Sequence, residues 1–329
     1  MIKSSLFILP FIVLFTWSSL MYEIEGSDLI RIGYIPDFYK KTKHKLDKKS
    51  LKTQFFHSKT KNKKIDILVL GDSFSEGKNS FTNLIAKSKF VLKPTLNGEN
   101  PINVLDQFIN KNFFKTNSVK FVIIESVERY VVDRGVNSNS LKSFFGQKCT
   151  VNHHKPNLDH IFFSNQSILF FYNSINYLLK SNNLINNKVY SMKLKSTLFN
   201  HVMGDEILIL HEDLDVVRFN NNEKNIRILN KRINDLAIKL NKDNTKLILL
   251  IYPDKYDLYF NFLNQKKIKP VFFEKFSKMK KKYVYIDTKK ILLNKLFDHT
   301  KDLYFYDDTH CTIKASKTIS DTLMKLINF

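Results

Sequence analysis

Cysteine is almost absent from this sequence of 329 residues, which contains only Cys149 and Cys311. Two cysteines cannot build a disulfide framework, and no Cys or His spacing is typical of a zinc site, so we expect no bound metal. The two could still pair if the fold brings them together. Cys311 also follows His310, and a Cys-His nucleophile is a further alternative, although adjacent side chains usually point apart.

Acidic residues are scarce, with 31 Asp and Glu against 53 Lys and Arg and a formal net charge of +22. A basic surface can bind nucleic acid, and residues 41–45 and 59–64 would form the patch. No helix-turn-helix, zinc finger or stacking-aromatic signature accompanies it, so we expect no nucleic-acid partner. An anionic glycan or membrane surface would use the same charges. An AT-rich genome would also produce this composition, so charge alone assigns no function.

Long apolar runs are also missing, with the exception of residues 6–21. Lys3 precedes this run and three acidic residues follow it, the last of them Asp28, which favours insertion with the N-terminus inside. We therefore predict that residues 1–26 are a signal anchor in the inner membrane, with the rest of the chain extracytoplasmic or periplasmic. A cleaved signal peptide is an alternative, although a small-residue cleavage site is lacking. A buried N-terminal helix is another, because spanning helices need ~20 residues.

The remainder divides into three parts by composition. Residues 27–64 are polar and Lys-rich, which indicates a basic tether plus a first element that packs on the core. A globular domain is predicted over residues 65–329. Within it, residues from about 135 to 200 are rich in Asn and aromatics and break the pattern of the core, so we interpret them as a helical insertion.

Alternating strand and helix patterns predict an α/β fold. Buried strands are indicated at 66–70, 119–127 and 246–251, and shorter strands at 207–210 and 284–286. Amphipathic helices are indicated at 225–240 and 312–327. Repeated strand-helix steps are typical of a doubly wound, mostly parallel central sheet with helices on both faces, a three-layer arrangement. Ligands of such sheets bind beyond the carboxyl ends of the strands. Ser73, Gly98 and Glu125 fall at these ends.

A serine, a histidine and an aspartate in the chain can form a catalytic triad. Ser73 follows the first strand in a sharp Gly-Asp-Ser turn, and Asp308 precedes His310 by two residues, which puts both side chains on one side of an extended segment. Serine needs a base to take its proton, and the base needs a carboxylate to orient it. Asp307 is the fallback for Asp308. A structural turn in which Asp72 or Ser73 only caps a helix is the alternative.

These residues carry a resemblance to the SGNH-hydrolase superfamily, and within it to the AlgX/AlgJ-type polysaccharide O-acetyltransferases, whose last motif is Asp-Thr-His-Trp. The resemblance spans residues 65–329. The matching segments are Gly71-Asp72-Ser73-Phe74, the run from Val122 to Tyr130, Tyr252-Pro253-Asp254-Lys255-Tyr256 with Tyr259, and Asp308-Thr309-His310, with a weaker match from Leu198-Phe199 to His211-Glu212-Asp213-Leu214.

The resemblance implies acyl transfer through a serine ester, with Ser73 as nucleophile, His310 as base and Asp308 orienting it. It implies no cofactor, because the acetyl group comes from a donor or an acyl-carrying partner. That partner would be a multispanning membrane acyltransferase, and the acceptor a polysaccharide, anionic if the charge is a guide. Asn97 and Gly98 occupy the position of the block that contributes oxyanion donors; an ordinary turn is the alternative.

Two further residues at strand ends, Arg129 and Lys255, would hold substrate carboxylates or buttress the site through Glu125 and Asp254; a purely structural ion pair is the alternative.

The chain departs from the family pattern at two positions. Cys311 stands where the family has Trp, and Ala315 stands where Gly is usual. Loss of the Trp removes a flat apolar wall beside the site. We expect an O-acetyltransferase of an exported or cell-surface polysaccharide, with a carbohydrate esterase (deacetylase) or a non-catalytic glycan-binding subunit as alternatives.

Overall fold

The computed structural model describes residues 9–13, 15–17, 27–33, 53–58, 64–137, 171–172, 175, 188–200 and 204–328. Cys149, the basic segments 41–45 and 59–63 and most of the predicted insertion lie outside these ranges. Residues 9–13 and 15–17 are helical, and no helix in the described part of the chain is long and apolar enough to cross a membrane.

Seven strands and twelve α-helices are described. The strands are β1 (Ile67–Leu70), β2 (Val91–Leu92), β3 (Phe121–Val127), β4 (Val189–Lys193), β5 (Glu206–Leu210), β6 (Lys246–Tyr252) and β7 (Val284–Ile286). The helices are α1 (Asp28–Gly33), α2 (Phe81–Ile85), α3 (Pro101–Asn110), α4 (Phe113–Asn117), α5 (Glu128–Val136), α6 (Glu212–Asp215), α7 (Val217–Asn220), α8 (Glu223–Asn241), α9 (Lys255–Tyr259), α10 (Phe272–Ser277), α11 (Thr288–Phe297) and α12 (Ile313–Ile327). Short 3-10 turns occur at Ser73–Ser75 and Phe260–Phe262.

Five strands form one parallel sheet in the order β2-β1-β3-β6-β7. The longest pairing joins β3 to β6 over seven residues, from Phe121 opposite Lys246 to Val127 opposite Tyr252. Counted within the sheet, this order is 2-1-3-4-5, and the chain reverses its direction of winding between β1 and β3. Ligands of such sheets bind at this switch point. The predicted α/β fold with a mostly parallel central sheet is confirmed at this level.

The sheet has a hydrophobic core on each face, because successive side chains of a strand point to opposite sides. Ile67 and Val69 of β1 pack on one face with α2, α11 and α12. Leu68 and Leu70 pack on the other face with α3, α5, α8 and α10. The structure therefore has three layers, with the sheet in the middle.

The helices begin where polar side chains cap them. Asn100 caps α3 by accepting a hydrogen bond from the Ile102 amide, and Pro101 occupies the first helical position. Thr312 caps α12 and Asn222 caps α8 in the same way. The helices predicted at 225–240 and 312–327 are confirmed to within two residues.

The second sheet is a ribbon of two antiparallel strands, β4 and β5. The sequence indicates β5 but not β4, which lies within the segment interpreted as a helical insertion. α1 packs on this ribbon through Leu29 and Ile30, both of them buried. It is the first element expected to pack on the core. Residues 53–58 lie against the sheet edge, where His57 pairs with Leu92 of β2.

Candidate active site

Ser73 lies at the carboxyl end of β1, in a short 3-10 turn. The turn is closed by the Ser75 amide and hydroxyl, which both donate to the Asp72 carbonyl oxygen, at 3.0 and 2.7 Å. Phe74 and Ser75 are buried, whereas Ser73 is exposed. Its hydroxyl has no hydrogen-bond partner in the part of the chain that the structure describes. The turn therefore leaves one side chain, that of Ser73, facing outward.

Neither Asp72 nor Ser73 caps the helix that follows. Asp72 makes no side-chain capping bond to the 3-10 turn. The helix α2 begins only at Phe81, and its cap is Ser80, whose hydroxyl accepts from the Asn83 amide at 3.2 Å. Several residues therefore separate the Gly-Asp-Ser turn from α2, and the capping alternative for Ser73 does not apply.

Gly71 is required by the close approach of Glu125. A Cβ atom at position 71 would lie 2.5 Å from Glu125 Oε2 and 2.7 Å from Ser75 Oγ. The same Glu125 oxygen accepts a hydrogen bond of 2.9 Å from the Asp72 amide. Glu125 of β3 therefore fixes the backbone just ahead of Ser73.

The pKa values of Glu125, which is buried, and of Asp72, which is partly buried, shift in opposite directions. Burial, followed by the Asp72 charge, raises the pKa of Glu125 well above its usual value. For Asp72, burial opposes ionisation, but the nearby Arg134 guanidinium, 2.7 Å from Asp72 Oδ2, lowers the pKa. Glu125 Oε1 and Asp72 Oδ1 have no assigned hydrogen-bond partner among the described residues. A proton on Glu125, donated to Asp72, satisfies both oxygens.

His310 is paired with Asp308 in a short hydrogen bond. Its Nδ1 lies 2.6 Å from Asp308 Oδ1, and its backbone amide donates to the same oxygen at 2.9 Å. Asp308 is thus the carboxylate that orients His310. Burial disfavours the charged imidazole, but the Asp308 hydrogen bond and charge outweigh it and raise the pKa of His310. Burial alone would raise the pKa of Asp308, but the hydrogen bond and charge of His310 outweigh it and lower that pKa. Such a pair suits a general base.

The Ser73 turn and His310 meet although they lie far apart in the chain. The ring of Phe74, next to Ser73, lies against the His310 imidazole with 5.1 Å between centroids. Tyr252 lies on Phe74 at 4.9 Å and Tyr304 at 6.1 Å. These rings form an apolar wall beside His310. Among the described residues no hydrogen bond joins Ser73 to His310. In free enzymes a catalytic hydrogen bond of this kind is often long and shortens when substrate binds.

Lys255 holds the loop that carries Asp308 and His310. Its ammonium donates to three backbone carbonyls, those of Phe305, Tyr306 and Asp308, at 2.8, 2.9 and 3.0 Å. The side chain is buried, and burial lowers the pKa of Lys255 to about 8 against the opposing effect of nearby acids. This position favours a structural role for Lys255 over a contact with substrate. Its partners are backbone carbonyls, whereas the sequence suggested Asp254 or Glu125.

Arg129 is equally enclosed. Its Nη1 lies 2.5 Å from Asp213 and 2.6 Å from Asp254, and all three side chains are buried. Glu128 supports this group by accepting from the Asp254 amide at 3.0 Å. The guanidinium is therefore engaged in an internal ion-pair network, which is the structural alternative raised for it.

The Asn97-Gly98 turn lies beyond β2, which neighbours β1. Both residues have positive φ, 49° and 82°, and the Glu99 amide closes the turn on the Leu96 carbonyl at 2.8 Å. Both are exposed. Within the described residues no hydrogen bond links this turn to Ser73, so its position at the same sheet edge is what favours an oxyanion role.

Asp28 is a member of the site that the sequence does not reveal. Its carboxylate accepts from the Thr309 amide at 2.8 Å and from the Thr309 hydroxyl, and its own amide donates to Asp308 Oδ2 at 3.2 Å. Burial, and then the charge of Asp308, raises the pKa of Asp28 to about 6. No local pattern points to this contact, because its partners lie 280 positions further along the chain.

Cys311 does not resemble a nucleophile. It is a free cysteine in the described part of the chain, and a pairing with Cys149 lies outside the described residues. Its sulfur lies 3.6 Å from Ser316 Oγ, and burial raises the pKa of the thiol to about 12. The thiolate needed for attack is therefore scarce at neutral pH.

A metal ion would find three possible ligands among the described residues. Asp28, Asp308 and His310 offer atoms within 4.8 Å of one another. The oxygens of both carboxylates already accept hydrogen bonds from N–H or O–H groups. This is the arrangement of a proton-transfer group more than of a coordination shell.

No protein-family model matches the chain, and neither the curated proteins nor the solved structures provide a match.

Proposed function

We propose that the chain is an acyl-transfer enzyme of the SGNH type that O-acetylates an exported or cell-surface polysaccharide. The observation that carries the proposal is the meeting of an exposed serine turn with an Asp-His pair at the switch point of the sheet. Ser73 projects outward, His310 is oriented by Asp308 at 2.6 Å, and Phe74 connects the two.

The chemistry follows from these positions. Ser73 Oγ attacks the carbonyl carbon of an acetyl donor, while the second nitrogen of His310 takes the hydroxyl proton and then gives it to the leaving group. In the second half a sugar hydroxyl attacks the serine ester, and His310 carries that proton back to Ser73. Backbone N–H groups of Ser73 and Gly98 are our candidates for stabilising the oxyanion.

Location and partners are part of the proposal. The apolar run at 6–21 with Lys3 ahead of it supports a signal anchor in the inner membrane and an extracytoplasmic site. An extracytoplasmic enzyme needs its acetyl groups delivered across the membrane, which supports a multispanning acyltransferase as the partner. The net charge of +22 supports an anionic glycan as the acceptor.

A carbohydrate esterase is the second candidate, because Ser73 is open to water as well as to a sugar. The two reactions share the acyl-enzyme and differ only in the acceptor.

The test is turnover of p-nitrophenyl acetate by the full-length chain in detergent, comparing wild type with Ser73→Ala. The control is Ser88→Ala, which removes an exposed hydroxyl elsewhere. We expect turnover to be lost only in Ser73→Ala. Equal rates in all three would contradict both enzymatic functions and favour a glycan-binding subunit. Acetate release without transfer to any added oligosaccharide would favour the esterase.

A further inference from the structure

The loop of the proposed catalytic pair is closed by a residue from the other end of the chain. Tyr304 and Cys311 pair across its base, and the Phe305 amide donates to the His310 carbonyl at 3.2 Å. At the tip, Thr309 has no backbone partner of this kind. Its amide and hydroxyl instead both donate to the carboxylate of Asp28.

The contact is built into the fold by the docking of α1. Asp28 is its first residue, and Leu29 and Ile30, which follow, are 0% and 1% exposed. They pack on Leu208 and Leu210 of β5. β5 is itself joined to the loop, because the Leu208 amide donates to the Tyr306 carbonyl at 2.9 Å. One hydrophobic contact therefore brings Asp28 to the loop.

Asp28 also faces His310, the proposed general base. Its Oδ2 lies 3.7 Å from His310 Nδ1, next to the 2.6 Å contact of Asp308. Two carboxylates then face one imidazole, and the Arg129 guanidinium is the opposing charge that acts on His310. The Lys255 ammonium lies near both carboxylates. A negative charge at this distance favours the imidazolium that forms when His310 takes a proton.

We propose that Asp28 is a positioning residue of this site, which holds the Asp308-Thr309-His310 loop and stabilises protonated His310, so that the site is complete only when α1 is docked. The proposal rests on the proposed function in one respect, the role of His310 as base. A purely structural role, in which Asp28 only favours the first turn of α1, is the competing explanation.

Asp28→Asn removes the negative charge but keeps one oxygen that can accept from the Thr309 amide, and its NH2 group can donate to the Thr309 hydroxyl oxygen, so most of the contact is retained. Asp235→Asn is the matched control, because it makes the same chemical change at an exposed site on α8. Asp28→Ala removes both the charge and the acceptor.

The first measurement needs no catalysis. In full-length Ser73→Ala protein labelled at histidine, NMR titration follows the nine histidines, with His310 assigned from His310→Gln. We expect Asp28→Asn to lower the pKa of His310, because an anionic neighbour is lost, and Asp235→Asn to leave it unchanged. Hydrogen exchange of the Thr309 amide should be faster in Asp28→Ala than in wild type.

The second measurement is ester turnover against pH. We expect Asp28→Asn to lower kcat about tenfold with little change in KM, which corresponds to a loss of about 1.4 kcal/mol of transition-state stabilisation. Unchanged kcat together with an unchanged His310 titration would overturn the proposal. If turnover proves independent of Ser73, the proposed function fails, whereas the titration and the Thr309 exchange still decide whether Asp28 acts on His310.

Discussion

The carboxyl groups of this site have pKa values that shift in opposite directions because their neighbours differ. Asp308 faces His310 and Asp72 faces Arg134, and a cation lowers the pKa of each. Glu125 is buried beside an ionised acid, and Asp28 beside Asp308, so their pKa values are raised. The site thus combines acids whose ionised form is favoured by a neighbouring cation with acids whose protonated form is favoured by burial and a neighbouring acid.

Asp308→Asn should abolish most activity while the protein stays folded. An amide keeps the shape but no longer favours the tautomer and charge of His310 that proton transfer needs, and such a change in a triad costs about 10⁴-fold in kcat. The rate of ester turnover and the circular dichroism spectrum check this together. Asp307→Asn is the control; a similar loss in that variant would contradict the assignment of Asp308.

Activity should increase with pH through a midpoint above 6.5, the ordinary value for His310. The base accepts a proton only when neutral, and its pKa is raised by the hydrogen bond and charge of Asp308, which outweigh burial. A profile of kcat/KM against pH reports this group in the free enzyme. A midpoint below 6.5 would mean that burial dominates.

Glu125→Gln should change stability at pH 7 by less than about 1 kcal/mol, whereas Glu125→Ala should cost about 2–3 kcal/mol by leaving the Asp72 amide without its acceptor. Because the folded-state pKa of Glu125 is raised, its stabilisation is complete below the unfolded value of 4.5 and is lost as pH increases toward the folded value. Urea unfolding from pH 4 to 8 should therefore show Glu125→Gln gaining on wild type with increasing pH. A constant difference would indicate an ionised Glu125.

At the scale of elements, the loop from Tyr304 to Cys311 depends on parts that are distant in sequence. Lys255 at the start of α9 binds three of its carbonyls, and Asp28 at the start of α1 binds its tip. The spacing of Asp308 and His310 predicts their pairing on the assumption of an extended segment. Residues 306–310 instead form turns and bends, in which Asp308 Oδ1 contacts both the amide and the ring of His310. The roles of Lys255 and Asp28 are tertiary contacts, which no local pattern encodes.

Lys255→Met should destabilise the protein by about 2–4 kcal/mol, because three buried carbonyls lose their donor. Urea denaturation measures the change, with Lys246→Met on the exposed start of β6 as the control. Equal midpoints for the two variants would show that Lys255 does not hold the loop.

At the scale of the whole molecule, periodicity predicts the sheet and the flanking helices well. β1, β3, β6 and β7 all lie where apolar runs indicate strands. β4 is not predicted from the sequence because Tyr190, Ser191 and Lys193 interrupt its apolar pattern. Its burial depends on pairing with β5. The order of strands, and with it the meeting of β1 and β3 at the site, follows from packing that a single sequence does not display.

Deleting residues 1–26 should leave Ser73-dependent ester turnover in place, because Asp28 and its helix remain. Deleting residues 1–33 should remove that turnover and expose the apolar surface of Leu208 and Leu210, which α1 covers. Turnover and binding of a hydrophobic dye compare the two. Equal activity in both would mean that α1 is dispensable.

The docking of Asp28 limits the distance between the loop from Tyr304 to Cys311 and the apolar run at residues 6–21. Only seven positions separate Met21 from Asp28, and a fully extended chain of that length reaches about 25 Å. If residues 6–21 lie in a bilayer and the proposed function holds, Ser73 and His310 would act close to the lipid headgroups. An acetyl group emerging from a membrane partner would then have a short path to the serine, and a growing glycan would be modified where it leaves the membrane.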